Sequence, residues 1–244
     1  LMITNLLKRI ESSIYAFRLT SQHIYDLIDA TIDNIDRYEQ GRVQQVELEQ
    51  LDTSDLDAED SDGEWSVGKK FKVALEDIDY VSWRLQLEKD KTVLNELLGM
   101  IAPVADEHDL KLQELIAVLQ DKINNPINDG NKKVLIFTAF ADTADYLYGE
   151  LASRLQREFG VNSAIVTGTR NPATTIDGVR ADFNTILTLF SPQSKNRDAL
   201  FEHNPGDIDI LIATDCISEG QNLQDCDYLI NYDIHWNPVR IIQR

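Results

Sequence analysis

Two short apolar runs near the end of the chain, residues 208–213 (IDILIA) and 228–232 (YLINY), constrain the fold most. Runs this brief and β-branched, bounded by polar loops, read as buried parallel strands. Each gives way to a loop at an Asp, Asp215 and Asp233. Between them lies SEGQN with one glycine, Gly220. After the second comes HWNP and then a helix start, which Asn237 can cap and Pro238 can open. Ligands of open α/β sheets bind at the carboxyl ends of the strands. Functional residues are therefore to be sought in these loops.

The 244 residues, 43% of them hydrophobic, suffice for a packed core and one or two domains. No apolar run approaches a membrane span, so no membrane role is expected. The opening LMITNLLKRI has neither an initiator Met nor a signal-peptide h-region, and the last residue falls within a helix signal. Both features fit a fragment of a longer cytoplasmic protein. Cys216 and Cys226 stand in apolar, strand-flanking positions and read as reduced core thiols. His23, His108, His203 and His235 are scattered, which indicates no metal site.

A net charge of −19 argues against a general nucleic-acid binder. The charge is uneven, however. Residues 1–127 hold 26 acids and 13 bases, a balance of −13, and residues 128–244 hold 16 and 10, a balance of −6. Nine acids and no Lys or Arg fall in 47–64 (ELEQLDTSDLDAEDSDGE). Like charges repel and little apolar surface offsets ordering entropy, so residues 43–64 read as a solvated, flexible acidic loop.

Apolar residues at helical spacing run through 1–40 and predict one long helix or two in line, ending near Gly41. KRIESSIYAFRLT reads there as an exposed polar face with an interior Ser pair. Residues 77–100 and 104–124 read as two helices divided at Pro103, and NNPINDGN (124–131) as a loop. A mainly helical region, 1–127, is thus followed by a second domain, 128–244. There KVLIFTAF (133–140) is a strand. A helix spans 141–160, with Asp142 as its cap and Gly160 as its stop. Residues 163–168 form a strand and 174–190 a helix, and the strand at 208 follows. This alternation predicts a parallel, doubly wound sheet.

Four loops then share one sheet edge: FTAF, TGTR, TDCISEGQN and YDIHWNP. Backbone amides at strand-to-helix turns bind phosphates without side-chain charge. Thr138, Thr167, Thr169 and Thr214 add hydroxyl donors suited to a phosphate backbone, and Asn222 could bond a sugar hydroxyl.

The order and spacing of these loops resemble the second RecA-like lobe of superfamily 2 helicases, in particular the Swi/Snf-type DNA-dependent ATPases of bacteria. KVLIFTAF looks like motif IV. LIATDCISEGQNLQDCDYLINYD looks like motif V with the strand after it, and WNP followed by IIQR looks like the approach to motif VI. KRIESSIYAF is similar to a helical segment that precedes this lobe in bacterial members. The resemblance implies a truncated RecA-like sheet. It places Thr214 at a nucleic-acid phosphate, with Thr138, Gly168, Thr169 and Arg170 on the same track. It sets Glu219, Gly220 and Asn222 in a loop facing ATP, and Gln243 and Arg244 as the opening Gln-Arg of motif VI. Trp236 and Pro238 read as packing residues.

The chain contains no GxxxxGK[ST] loop and no acidic Mg²⁺-binding box. The resemblance assigns both, and hence Mg²⁺, to a first RecA-like lobe of the same protein. Motif VI arginines that act on the γ-phosphate would follow Arg244. The implied function is half of an interlobe ATP site and part of a track for nucleic acid, double-stranded DNA in this family, in a nucleoid-associated translocase. The fragment alone would be inactive. Two rival readings are a non-catalytic module that binds a protein partner through the helical region, and an α/β transferase with a nucleotide-linked donor.

Overall fold

The computed structural model describes residues 2–41, 47–49, 72–104, 108–201, 203–217, 220–234 and 238–243. The chain forms two compact units, Leu1–Ile10 with Ala16–Ala105, and Glu11–Tyr15 with Asp106–Arg244.

In the first unit, helices α1 (Met2–Ser12) and α2 (Ile14–Glu39) follow one another, separated at Ser13. Ile24, Ile28, Ile32 and Ile35 recur every three or four residues and all are buried. That spacing is one helical face. The face packs with Leu75 and Leu87. Strands β1 (Glu47–Glu49) and β2 (Lys72–Ala74) pair antiparallel, with Glu47 opposite Ala74. Three residues of the expected acidic loop are therefore strand; the rest of it lies outside the described residues. Helix α3 (Tyr80–Ile101) starts at Asp79, whose side chain accepts from Ser82 N–H at 3.1 Å. That bond holds the Asp79 carboxyl below its usual range. The helix ends at Ile101; Ala102 keeps helical angles and its N–H still reaches Leu98 O, but Pro103 has no N–H with which to continue the ladder. Arg84 links α3 to α2 through Asp36 at 2.7 Å, and Lys91 does so through Asp29.

The second unit carries the sheet. Its elements are α4 (Leu110–Asn124), β3 (Val134–Phe137), α5 (Ala141–Phe159), β4 (Ser163–Val166), β5 (Ala173–Thr174), α6 (Phe183–Phe190), α7 (Arg197–Leu200), β6 (Ile210–Ala213), β7 (Leu229–Asn231) and α8 (Pro238–Gln243). The strand order is β5-β4-β6-β3-β7. All neighbours are parallel except β5, which runs antiparallel to β4. The alternating strands and helices predicted this sheet; the antiparallel edge was not foreseen.

Every residue of β3, β4 and β6 is buried. Strand alternation deals their side chains to two cores. Val134, Ile136, Ile165, Ile210 and Ile212 pack with Leu112, Leu115, Ile116 and Leu119 of α4 and with Leu147, Leu151 and Leu155 of α5. Leu135, Phe137, Ala164, Val166, Leu211 and Ala213 pack with Ile186, Leu187, Leu189 and Phe190 of α6. Two layers of helices on one sheet account for continuous apolar strands with no polar face.

Three local expectations are corrected. The N-cap of α5 is Phe140 with no side-chain capping bond, and Asp142 sits in the first turn. The helix expected over 174–190 begins at Phe183, capped by Asp182 through Thr185 N–H at 3.0 Å. Residues before it are drawn into the sheet: Thr175 Oγ1 accepts from Ser163 N–H at 2.9 Å, and Thr174 Oγ1 donates to Ser163 O at 3.1 Å. Gly178 then turns the chain at φ +73°. Neither cysteine is in a disulfide, as expected, and half-buried Cys226 packs against the second core, but Cys216 is exposed rather than in the core. Gly160 does end α5, in the left-handed conformation expected of a helix stop. Among the described residues no helix is long and apolar enough to cross a membrane.

Leu147 is fully buried where α5 meets the sheet. Leu147→Ala should destabilise the second unit by roughly 2–5 kcal/mol. Denaturant unfolding of the variant measures this; a loss below about 1 kcal/mol would contradict the packing described.

Candidate functional site

The parallel register aligns the strand ends. Val166 pairs with Ala213, Ala213 with Phe137, and Phe137 with Asn231. The next residue of each strand continues the row: Thr167, Thr214, Thr138 and Tyr232. Three of their amides help to hold it: Thr214 N–H donates to Val166 O at 3.3 Å, Thr138 N–H to Ala213 O at 2.9 Å and Tyr232 N–H to Phe137 O at 2.8 Å. All four residues are buried. Thr138 Oγ1 donates to Phe140 O at 2.7 Å, and Thr214 Oγ1 points to Cys216 Sγ at 3.5 Å. The threonines thus form the floor of the edge, with hydroxyls turned largely inward.

What stands above the floor is exposed. Gly168, Thr169 and Arg170 follow β4, and Gly220 and Asn222 follow the short 3-10 turn after β6; all five are solvent-facing. The two loops meet where a Cβ on Gly168 would lie 4.0 Å from Cys216 Cβ. Gly220 has φ +72°, a conformation that side-chain-bearing residues rarely adopt. Arg170 pairs with Asp145 of α5. Gln243 is in α8. Glu219, Trp236 and Arg244 lie outside the described residues.

The region also contains a buried polar cluster that the motifs did not single out. Asp233 follows β7, is 6% exposed, and accepts from Ser12 Oγ at 2.6 Å and from Ala139 N–H at 3.0 Å, both at Oδ2. Ser12 Oγ also lies 2.7 Å from Thr143 Oγ1, which lies 3.1 Å from Ser13 Oγ. A hydroxyl has one proton to donate. With Ser12 donating to the carboxylate, Thr143 must donate to Ser12, and Ser13 can donate to Thr143. Asp233 thereby ties the loop after β3 to the loop after β7 and both to the α1–α2 break. The pair Ser12–Ser13 is interior, as expected of it. Its signal in the sequence is two adjacent hydroxyls in an apolar helical pattern; nothing there names Asp233 as their partner.

Lys111 reinforces the break. Its Nζ donates to Glu11 O at 3.0 Å and Ser12 O at 2.9 Å, and lies 4.1 Å from the centre of the Tyr232 ring. Burial pushes the Lys111 ammonium down from its usual range, while Asp233, Asp109 and Glu11 oppose that shift. Burial drives the Tyr232 phenol up, helped by the same Asp109 and Asp233 charges. Tyr232 is thus a buried ring against which Lys111 is packed.

Ser12→Ala removes one of the hydrogen bonds to a buried carboxylate. It should cost about 1–3 kcal/mol in denaturant unfolding of the second unit. An unchanged midpoint would show that Ser12 does not help hold Asp233.

The geometry agrees with the comparisons. Residues 111–244, more than half of the chain, match the helicase conserved C-terminal domain. An uncharacterized ATP-dependent helicase of Bacillus subtilis, YqhH, is 30% identical over 155 residues, which is 59% of this chain and 22% of that protein. A putative ATP-dependent DNA helicase of Schizosaccharomyces pombe, fml2, is 27% identical over 55% of this chain and 15% of its own length. The ATP-dependent RNA helicase RhlB of Shewanella pealeana is 28% identical over 51% of this chain and 30% of its own length. The matched regions thus span less than a third of each relative. With its two-sided parallel sheet and its loops gathered at the strand ends, the chain belongs to the helicase conserved C-terminal domain family.

Proposed function

We propose that this chain is the second motor lobe of an ATP-dependent DNA translocase of Swi/Snf type. ATP binds between this lobe and a first lobe that supplies the phosphate loop and holds Mg²⁺. Closure and reopening around ATP then ratchet the two lobes along a double-stranded DNA backbone. The observation that carries the reading is the strand-end edge, where the loops after β3, β4, β6 and β7 are held in one row by the register of the sheet.

Roles divide along that edge. Gly168, Thr169 and Arg170 are exposed and face the track. Thr138 and Thr214, buried beneath, shape the turns whose backbone meets phosphate. Gly220 and Asn222 with Glu219 face ATP, and Gln243 and Arg244 begin the segment whose arginines act on the γ-phosphate. Asp233 fixes the exit of β7, from which that segment departs. The two relatives whose names specify a nucleic acid differ, one a DNA and one an RNA helicase. The choice of duplex DNA rests on the sequence resemblance in SEGQNL and YDIHWNP.

ATPase activity of the whole protein with duplex DNA, single-stranded DNA and RNA tests the proposal. Duplex DNA should stimulate most, and stimulation should fall steeply with salt as phosphate contacts are screened. Stimulation by RNA alone would replace the DNA reading, and no hydrolysis under any condition would remove the motor reading. Gly220→Ala sharpens the test. A Cβ there meets nothing within 4 Å, so the lobe should fold with only the local cost of a left-handed alanine, about 1–2 kcal/mol. Stimulated turnover should nonetheless fall at least several-fold; turnover equal to that of the unaltered protein would take the 219–222 loop away from ATP.

A further inference from the structure

Arg170 stands in an exposed loop at the strand-end edge, yet its guanidinium already has an anion. Nη1 is paired with the Asp145 carboxylate of α5, and Nε donates to Asn171 O at 3.3 Å. Both side chains of the pair keep more than a third of their surface in water, 38% for Arg170 and 39% for Asp145. The charge also reaches Tyr148, whose phenol burial pushes up and Arg170 pulls back down.

A guanidinium has five N–H donors, and these contacts leave several of them unused. Carboxylate and phosphate oxygens suit the same planar fork. A phosphodiester that approaches this loop therefore competes with Asp145 for one cation and is repelled by the carboxylate it displaces. Partly exposed ion pairs of this kind are weak enough to exchange partners. The sequence offers the loop little other positive charge, since TGTRNPATTIDG contains no second Lys or Arg.

We propose that Asp145 is a specificity-determining residue of the nucleic-acid track: it holds Arg170 in place without ligand and is replaced there by a backbone phosphate. The acid sets a threshold, so that only a strong polyanion, and not an isolated carboxylate, recruits Arg170. The inference rests on the track assigned above to residues 168–170.

Binding of a fluorescent DNA duplex to the whole protein, followed by anisotropy over a range of salt, tests it in Asp145→Asn, Arg170→Ala and the double variant. Arg170→Ala should weaken binding and make the log–log salt slope shallower by about one. Asp145→Asn should tighten binding roughly two- to fivefold, and this gain should vanish when Arg170 is also absent. Asp145→Glu, which keeps the charge, should bind like the unaltered protein, and Asp145→Ser is a second variant that removes it. If Arg170→Ala changes neither affinity nor slope, the track assignment itself falls and the inference with it. If Arg170→Ala weakens binding but Asp145→Asn and Asp145→Ser do not tighten it, or tighten it equally without Arg170, the track stands and the role of Asp145 is overturned.

Discussion

Parallel pairing of β3 with β6 on one side and β7 on the other is the constraint on which the rest of the second unit depends. A strand paired on both edges and covered on both faces must be apolar throughout, which VLIF is. Parallel neighbours must also end on the same side of the sheet, so the loops that leave them gather at one edge. The opposite edge is closed by a different set of bonds: Lys122 with Asp227 at 2.7 Å, Asn131 with Asp225 O at 3.0 Å, and Lys133 with Ile208 O at 2.9 Å. Those contacts tie the loops there to the sheet, while at the strand-end edge Gly168, Thr169, Gly220 and Asn222 are exposed.

Asp233 shows how the sheet controls its loops. A carboxylate buried without partners would be costly, and this one is stabilised by donors from Ser12 and Ala139. Because its two donors come from distant parts of the sequence, the loops after β3 and β7 and the α1–α2 break cannot shift apart without breaking a bond to a buried charge. Residues 11–15, the end of α1 and the start of α2, accordingly group with the sheet unit.

Much of this was legible in the sequence, for definite reasons. The strands β3, β4 and β6 are short, apolar and β-branched, and Gly160 stops a helix by the one conformation it adopts freely; such signals are local. The corrections fall where a distant partner decides. Thr174 and Thr175 fall in the helix expected over 174–190, yet Ser163 binds both hydroxyls and the chain there pairs with β4. Cys216 follows a buried strand yet lies in a turn that carries it to the surface. Of the candidate site residues, Thr169, Arg170, Gly220 and Asn222 fall in the loops expected between the strands and are exposed there, whereas Gly168, expected as the last residue of a strand over 163–168, lies beyond β4 and is exposed. That Thr138 and Thr214 turn their hydroxyls inward, and that Arg170 meets Asp145, depends on neighbours no periodicity reveals.

Hydrogen–deuterium exchange of the whole protein, with and without duplex DNA and a non-hydrolysable ATP analogue, tests most directly that the strand-end edge is the working face. The account predicts protection in peptides covering 167–171 and 214–222, with the 122–133 and 225–228 segments of the opposite edge unchanged. Protection confined to that opposite edge, or to the helical unit, would contradict it.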